Sequence, residues 1–186
     1  MATVQPRMRA LGYERATREL SRQPAALLTM LFLLFQIGND RYAIEANRVV
    51  EVAPLLELQR LPHAPRGVAG VVNYRGNPVP AVDFSQLVLG QPAAERLSTR
   101  IIIVKHPDGQ GREQLLGIIA EKATDLLHKD AADFGPPAGQ GRSAPYLGPV
   151  FVDDKGPVQC LREQQLLPEP VRDVLFAEPA DAPGRR

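Results

Sequence analysis

GVAGVVNYRGNPVPAVDF (67–84) is the densest local structure signal in the chain, and its reading decides the fold. Two runs rich in Val and Ala flank Arg75-Gly76-Asn77, so the stretch predicts a β-hairpin. Gly76 supplies the positive φ that a tight turn needs, because a residue without Cβ enters that region at no steric cost. Pro78 and Pro80 carry no N–H, so the returning strand cannot donate at every position and is expected at a sheet edge or barrel rim. Arg75, with its fixed fork of donors, then projects near the tip of a rigid hairpin, a place where recognition residues concentrate.

On either side of this hairpin the elements stay short and turn signals recur, which predicts an all-β barrel or sandwich. Upstream, strands are expected over 31–37 and 41–44 around Gly38-Asn39-Asp40, a helical turn over 45–48, and strands over 49–53 and 56–61. Directly after the hairpin, Asp83 or Ser85 can cap a short helix reaching Leu89, because a side-chain oxygen there accepts from the exposed first-turn amides. Downstream, RIIIVK (100–105) is a strong strand, 114–120 its partner and 123–128 a further strand. The loop 136–143 is polar, 146–152 and 157–161 form a second hairpin around Asp153-Asp154-Lys155-Gly156, and 162–167 is helical.

The two halves share a grammar. Pro78, Val79, Gln86 and Leu87 recur at one common offset as Pro157, Val158, Gln165 and Leu166. Ala64-Pro65, Gly70 and Gly76 are answered within a residue of that offset by Ala144-Pro145, Gly148 and Gly156. A repeated supersecondary unit buries its apolar face against its copy, so the expectation is two similar barrel-like subdomains, 31–90 and 100–167, with a binding groove between them. The flanks are read as a basic, disordered tail over 1–29 and a C-terminal tail over 168–186 that holds one or two amphipathic turns at 171–176 before its Pro/Ala/Gly end. The charged start followed by the apolar run AALLTMLFLLF (25–35) imitates a secretory signal, but the run leads into a strand and turn without a small-residue cleavage site.

Composition narrows the function. The chain has 186 residues, no Trp, 5% aromatics and a formal net charge of +1, so its core is built from Val, Ile, Leu and Ala. Nothing in that charge recommends a nucleic-acid partner, and the aromatics stand mostly inside apolar strands, away from any stacking platform. A lone Cys160 in a Val/Leu context excludes an internal disulfide framework and reads as a buried thiol. His63, His106 and His128 lack metal-ligand spacing and acidic companions, Asp153-Asp154 sits in a turn, Ser85 has no nucleophile-elbow context, and the GQGR strings do not open helices. No catalytic constellation, metal site or cofactor site is expected, and binding is left. The residues available for it are Glu51, Arg75, Val49, Val71 and Val72; for each, an ordinary structural role stays open beside a recognition role.

FQIGNDRYAIEANRVVEV (35–52) and LPHAPRGVAGVVNYRGNPVPAVDF (61–84) together resemble the CheW-like domain of bacterial chemosensory systems, whose pattern runs V-x-E-V/I, P-x-x-P, then G-V-x-N-L-R-G-x-x-V-P-V-x-D-L. The G-I-I at 117–119 and P-Y-L-G-P-V at 145–150 agree with its weaker second half, and the similarity covers 31–167. The resemblance implies two five-stranded SH3-like β-barrels side by side, with short helices after the hairpins. It also implies no catalysis, and a cytoplasmic adaptor at receptor arrays, without insertion into the membrane. The implied partners are the regulatory domain of a CheA-type histidine kinase and the cytoplasmic tip of a methyl-accepting chemoreceptor. Receptor- or kinase-binding positions carry over to Val49, Glu51, Gly70, Val71 and Arg75, as an apolar groove lined by Val49 and Val71 with Arg75 at its rim. An Arg75–Glu51 ion pair bracing the hairpin is the other use of the same residues. Departures from the family pattern are Tyr74 for Leu, Phe84-Ser85 for Leu-Arg, Glu121 for Asp, and Cys160-Leu161-Arg162 for Leu-Asp. They suggest an alternative array, for instance with a surface-sensing or cyclic-di-GMP output. A sequestering or regulatory module of another two-component pathway is the alternative reading.

Overall fold

The hydrophobic runs LFLLF and IIIV are continuous where a half-buried strand would alternate, and the computed structural model gives the reason. It describes residues 29–108, 110–136 and 144–176. Ten strands, β1 Thr29–Ile37, β2 Asp40–Glu45, β3 Val49–Pro54, β4 Leu58–Gln59, β5 Val68–Tyr74, β6 Asn77–Asp83, β7 Thr99–Pro107, β8 Glu113–Asp130, β9 Leu147–Asp153 and β10 Gly156–Leu161, form one hydrogen-bonded sheet system. Helices α1 (Phe84–Leu89) and α2 (Glu169–Leu175) follow the two long hairpins, with 3-10 turns at Ala46–Arg48, Ala131–Asp133 and Glu163–Gln165.

The sheet divides into two strand groups that share β8. Its first half pairs antiparallel with β7 and parallel with β6, giving the path β3-β7-β8-β6-β5 with β4 beyond β5. Its second half pairs with β1 and continues through β2, parallel β10 and β9. Between Glu121 and Asp125 β8 advances four residues while β1 advances two, from Gln36 to Leu34, and Lys122 takes φ +49. That bulge bends β8 from one group into the other.

Both paths run through the same ladder types in the same order: antiparallel, antiparallel, parallel, antiparallel. The two groups are thus built alike in ladder order, but their strands do not divide the chain at the expected 31–90 and 100–167. β1 and β2, from the start of the described chain, pair with the second half of β8 and with β10 and so complete the group of β9 and β10. Matching hydrogen bonds mark the equivalence: Asp83 N donates to Gly67 O and Arg162 N to Tyr146 O, both at 2.8 Å. In the first copy Asp83 caps α1 by accepting from Gln86 N at 3.1 Å; in the second, Arg162 stands at the equivalent place and offers no side-chain cap.

Three apolar clusters fill the molecule as layers. One lies inside the first group (Ala53, Val72, Tyr74, Val79, Ala81, Ile101, Ile103, Ile119) and one inside the second (Phe32, Leu34, Ala43, Phe151, Val158, Cys160). The largest lies between them, with Leu33, Phe35, Ile37, Ile102, Val104, Leu116, Ile118 and Phe84. Alternate residues of β1 and of β7 thus face different cores, and both faces of each strand are buried, which is what a continuous apolar run encodes. The space between the groups, expected as a binding groove, is at its centre a packed core. Burial also pushes the Cys160 thiol up to about 12, so it is an inert core group.

Three further expectations are corrected. β6 lies between β5 and β8, not at an edge; Pro78 and Pro80 are tolerated because its ladder to β8 begins only at Ala81. The strand expected over 56–61 shortens to Leu58–Gln59, and those over 114–120 and 123–128 are one strand, β8. The amphipathic stretch over 171–176 lies in α2, which packs Val171 and Leu175, with Phe176 after it, against the central cluster. The expected basic tail lies outside the described residues except for Thr29, as does the polar loop except for Pro136.

His106 at the end of β7 is fully buried, its ring stacked on Phe176 at 5.6 Å. Burial, with Arg172 and Arg48 adding positive charge nearby, pushes it down to about 4. A folded value below the unfolded 6.5 means that the fold prefers the neutral ring, so its stabilisation is complete above pH 6.5 and is lost as pH falls toward 4. We expect about 2 kcal/mol to be lost between pH 7 and pH 5, read by urea titration, and a flatter profile in His106→Phe.

Candidate functional site

The tip of the β5–β6 hairpin is built from local chemistry. Arg75 and Gly76 have φ +52 and +85, the double positive φ of a two-residue turn matched to strand twist, and Asn73 Oδ1 accepts from Gly76 N at 2.8 Å. An arginine in this region is strained relative to glycine, so the turn holds it through its flanks.

Tyr74 points inward and is 7% exposed, yet its hydroxyl reaches the rim and donates to Glu51 Oε2 at 2.6 Å. Arg75 Nη2 donates to the same oxygen at 2.5 Å, and its guanidinium lies 5.1 Å from the Tyr74 ring centroid. One carboxylate oxygen on β3 thus collects a donor from the end of β5 and one from the turn after it. The Tyr74 hydroxyl, and with it the Arg75 charge, hold the Glu51 carboxyl below its ordinary range, and the same bond pushes the Tyr74 phenol up. Arg75 remains 72% exposed and Glu51 36%, so the pair is a surface one, of the kind that contributes about 1 kcal/mol at most.

The remaining candidates fall into different places. A register shift between Val49 and Glu51 leaves Val50 on the outside at 43% exposure and turns both Val49 and Val52 onto the central cluster. Simple alternation, which pairs Val49 with Glu51 on one face, fails at that bulge. Val71 faces outward on β5 between the inward Gly70 and Val72, and lines a shallow depression with Leu58, Gln59 and Pro78. The structure therefore brings Glu51 and Arg75 together, leaves Val71 on the neighbouring face, and puts Val49 into packing. Gly70 has φ +149, and a Cβ there would stand 2.4 Å from Gln59 O, so close approach of β4 dictates the glycine.

Tyr74 is the participant that sequence reasoning passed over. Its signal was present: a tyrosine at an inward strand position where the family carries leucine needs a partner for its hydroxyl. Two other ion pairs had no local signal, because their members are far apart in sequence. Arg41 holds Asp153 bidentately at 2.5 and 2.6 Å, keeping that carboxyl at about 2, and Arg48 Nε meets the buried Glu163 at 2.7 Å. Among the described residues no group of three or more His, Cys, Asp or Glu is placed to hold a metal ion, and no helix is long and apolar enough to cross a membrane.

Comparison with known proteins agrees with this architecture. The model of the CheW-like domain family matches residues 31–171. A chemotaxis protein CheW of Rhizobium meliloti (strain 1021) is 32% identical over 104 residues, 56% of this chain and 64% of that protein. One of Helicobacter pylori is 30% identical over 106 residues, 56% of this chain and 61% of that protein. The chain thus spans somewhat less than two thirds of these relatives. The crystal structure of the scaffolding protein TtCheW from Thermoanaerobacter tengcongensis superposes with a TM-score of 0.63 at 18% identity, covering 73% of this chain and 85% of that one; a likeness at that identity shows the fold.

Proposed function

This chain belongs to the CheW-like domain family, and from that premise we propose that it is a non-catalytic adaptor coupling methyl-accepting receptors to a CheA-type histidine kinase in cytoplasmic signalling arrays. The observation that carries the reading is the Tyr74–Glu51–Arg75 cluster: an exposed guanidinium aimed by a shared carboxylate on a two-residue turn, in the family's N-x-R-G context. The two strand groups, locked by the central cluster, present two outer surfaces at a fixed separation. Holding kinase and receptor on those surfaces makes the second contact effectively intramolecular, so modest affinities suffice for assembly.

In this reading Arg75, Glu51 and Val71 face a partner, while Val49 and Gly70 act by shaping the scaffold behind them. Pull-down of the full chain with a receptor cytoplasmic tip and with a kinase regulatory domain tests it, with Arg75→Ala as the diagnostic variant. Partner capture is expected to fall at least tenfold while the thermal midpoint moves by no more than about 3 °C, the shift for a surface pair of about 1 kcal/mol. A large drop in midpoint would show that the pair braces the fold. Capture of one partner alone would favour a sequestering module, and capture of neither at micromolar concentration would sink the coupling role.

A further inference from the structure

A cavity of about 830 Å3 opens where the two copies of the repeat meet, walled by the approach to β5, by α1, by the turn after β10 and by α2. Its volume lies within the range of small-molecule sites, and it stands beside a central layer that is otherwise closely filled. Val82, Leu87, Leu166 and Val171 give it an apolar lining. Two arginines reach it from opposite copies: Arg66 ahead of β5 and Arg172 on α2.

These arginines are under-used by the fold. The Arg66 guanidinium makes no ion pair among the described residues. The Arg172 side chain is only 17% exposed, and among the described residues its Nε is buried with no acceptor and its one carboxylate contact, to the largely exposed Glu169, is long at 3.4 Å. A guanidinium N–H left without an acceptor is costly, and a guanidinium lining an apolar cavity is a charge-assisted donor for an entering anion. With Arg66, Arg172 and Glu169 as the charged residues lining it, the cavity is net positive while its remaining wall is largely apolar.

We propose that this cavity binds a small amphipathic carboxylate. Its carboxylate accepts from Arg172, with Arg66 adding positive charge at the mouth, and its hydrocarbon chain lies against Leu87, Leu166 and Val171. The site is remote from the Tyr74–Glu51–Arg75 cluster in its lining residues, and it stands whether or not the coupling role does.

Octanoate is a suitable probe, with 1-octanol as its uncharged counterpart, titrated into the full chain by calorimetry with amide chemical shifts read in parallel. One equivalent of octanoate is expected to bind, at least tenfold more tightly than octanol, with shifts clustered at Arg66, Leu87, Leu166 and Val171. Arg172→Gln should weaken it at least tenfold, Arg66→Gln severalfold, and Val171→Trp, which fills the cavity, should abolish it. Because Arg172 also packs α2, the exposed Arg66→Gln and the filling Val171→Trp carry the test if Arg172→Gln unfolds. Absence of binding, equal affinity for octanol, or octanoate affinity unchanged in both Arg66→Gln and Val171→Trp would overturn the assignment.

Discussion

Replacing Gly70 with alanine is expected to destabilise the protein by roughly 3 kcal/mol, more than any change at the exposed hairpin tip. Two effects add. Gly70 sits at φ +149, where an L side chain is strained, and the new methyl would lie 2.4 Å from Gln59 O and 3.0 Å from its carbonyl carbon. The obstacle is backbone, held by the short β4–β5 ladder, so no side chain can swing aside. In a chain of this size such a loss lowers the thermal midpoint by roughly 10 °C. Gly76→Ala makes the control: φ is +85 but nothing stands within 4 Å, so strain alone applies, at about 1 kcal/mol. If Gly70→Ala kept its midpoint yet lost partner capture, Gly70 would belong to the contact surface itself. Capture that falls together with the midpoint, and returns on cooling, assigns it to the scaffold.

Legibility in the sequence followed the range of the forces involved. Local terms were readable: the hairpin 67–84, the Asp83 cap, the helical turn before Val49 and the second hairpin all rest on neighbours in the chain, and all stand in the structure. The repeat was readable as well, since equivalent residues face equivalent ladders. Its division of the chain was not, because which group β1 and β2 complete depends on pairing with β8 and β10, far along the sequence. Simple alternation fails over Val49–Glu51 for a related reason. Alternation assumes a regular strand, and the bulge opposite β7 that breaks it is set by register between strands. At the candidate site, Arg75 and Glu51 were legible through motif context, whereas the hydroxyl that joins them depended on Tyr74 reaching from the core to the rim.

Phe84→Ala is expected to have the largest effect, about 3–5 kcal/mol, because its position concerns the joint between the two groups and not one of them. Phe84 is wholly buried and packs edge-on against Phe35 of β1 at 5.9 Å, Tyr42 of β2 at 5.0 Å and Tyr146 ahead of β9 at 5.8 Å. It leaves β6 of the first group and contacts the second group on three sides, so its loss opens a cavity in the layer that fixes their relative placement. Each aromatic contact adds to the buried area, and none can be replaced by a neighbour without moving a strand. The wild-type chain is expected to unfold in one transition, since β8 and the central cluster belong to both groups. In Phe84→Ala the urea midpoint should fall sharply, and tryptophan-free near-ultraviolet signals from Tyr42 and Tyr146 should change ahead of the far-ultraviolet signal if the groups begin to separate. Coincident curves with a small midpoint shift, of about 1 kcal/mol or less, would mean that Phe84 is not the joint. If the shared core does set the spacing of two partner surfaces, then at temperatures where Phe84→Ala remains folded it should still capture each partner singly. Joint capture of kinase and receptor should nevertheless fall, because an adaptor whose halves move loses effective concentration without losing a contact.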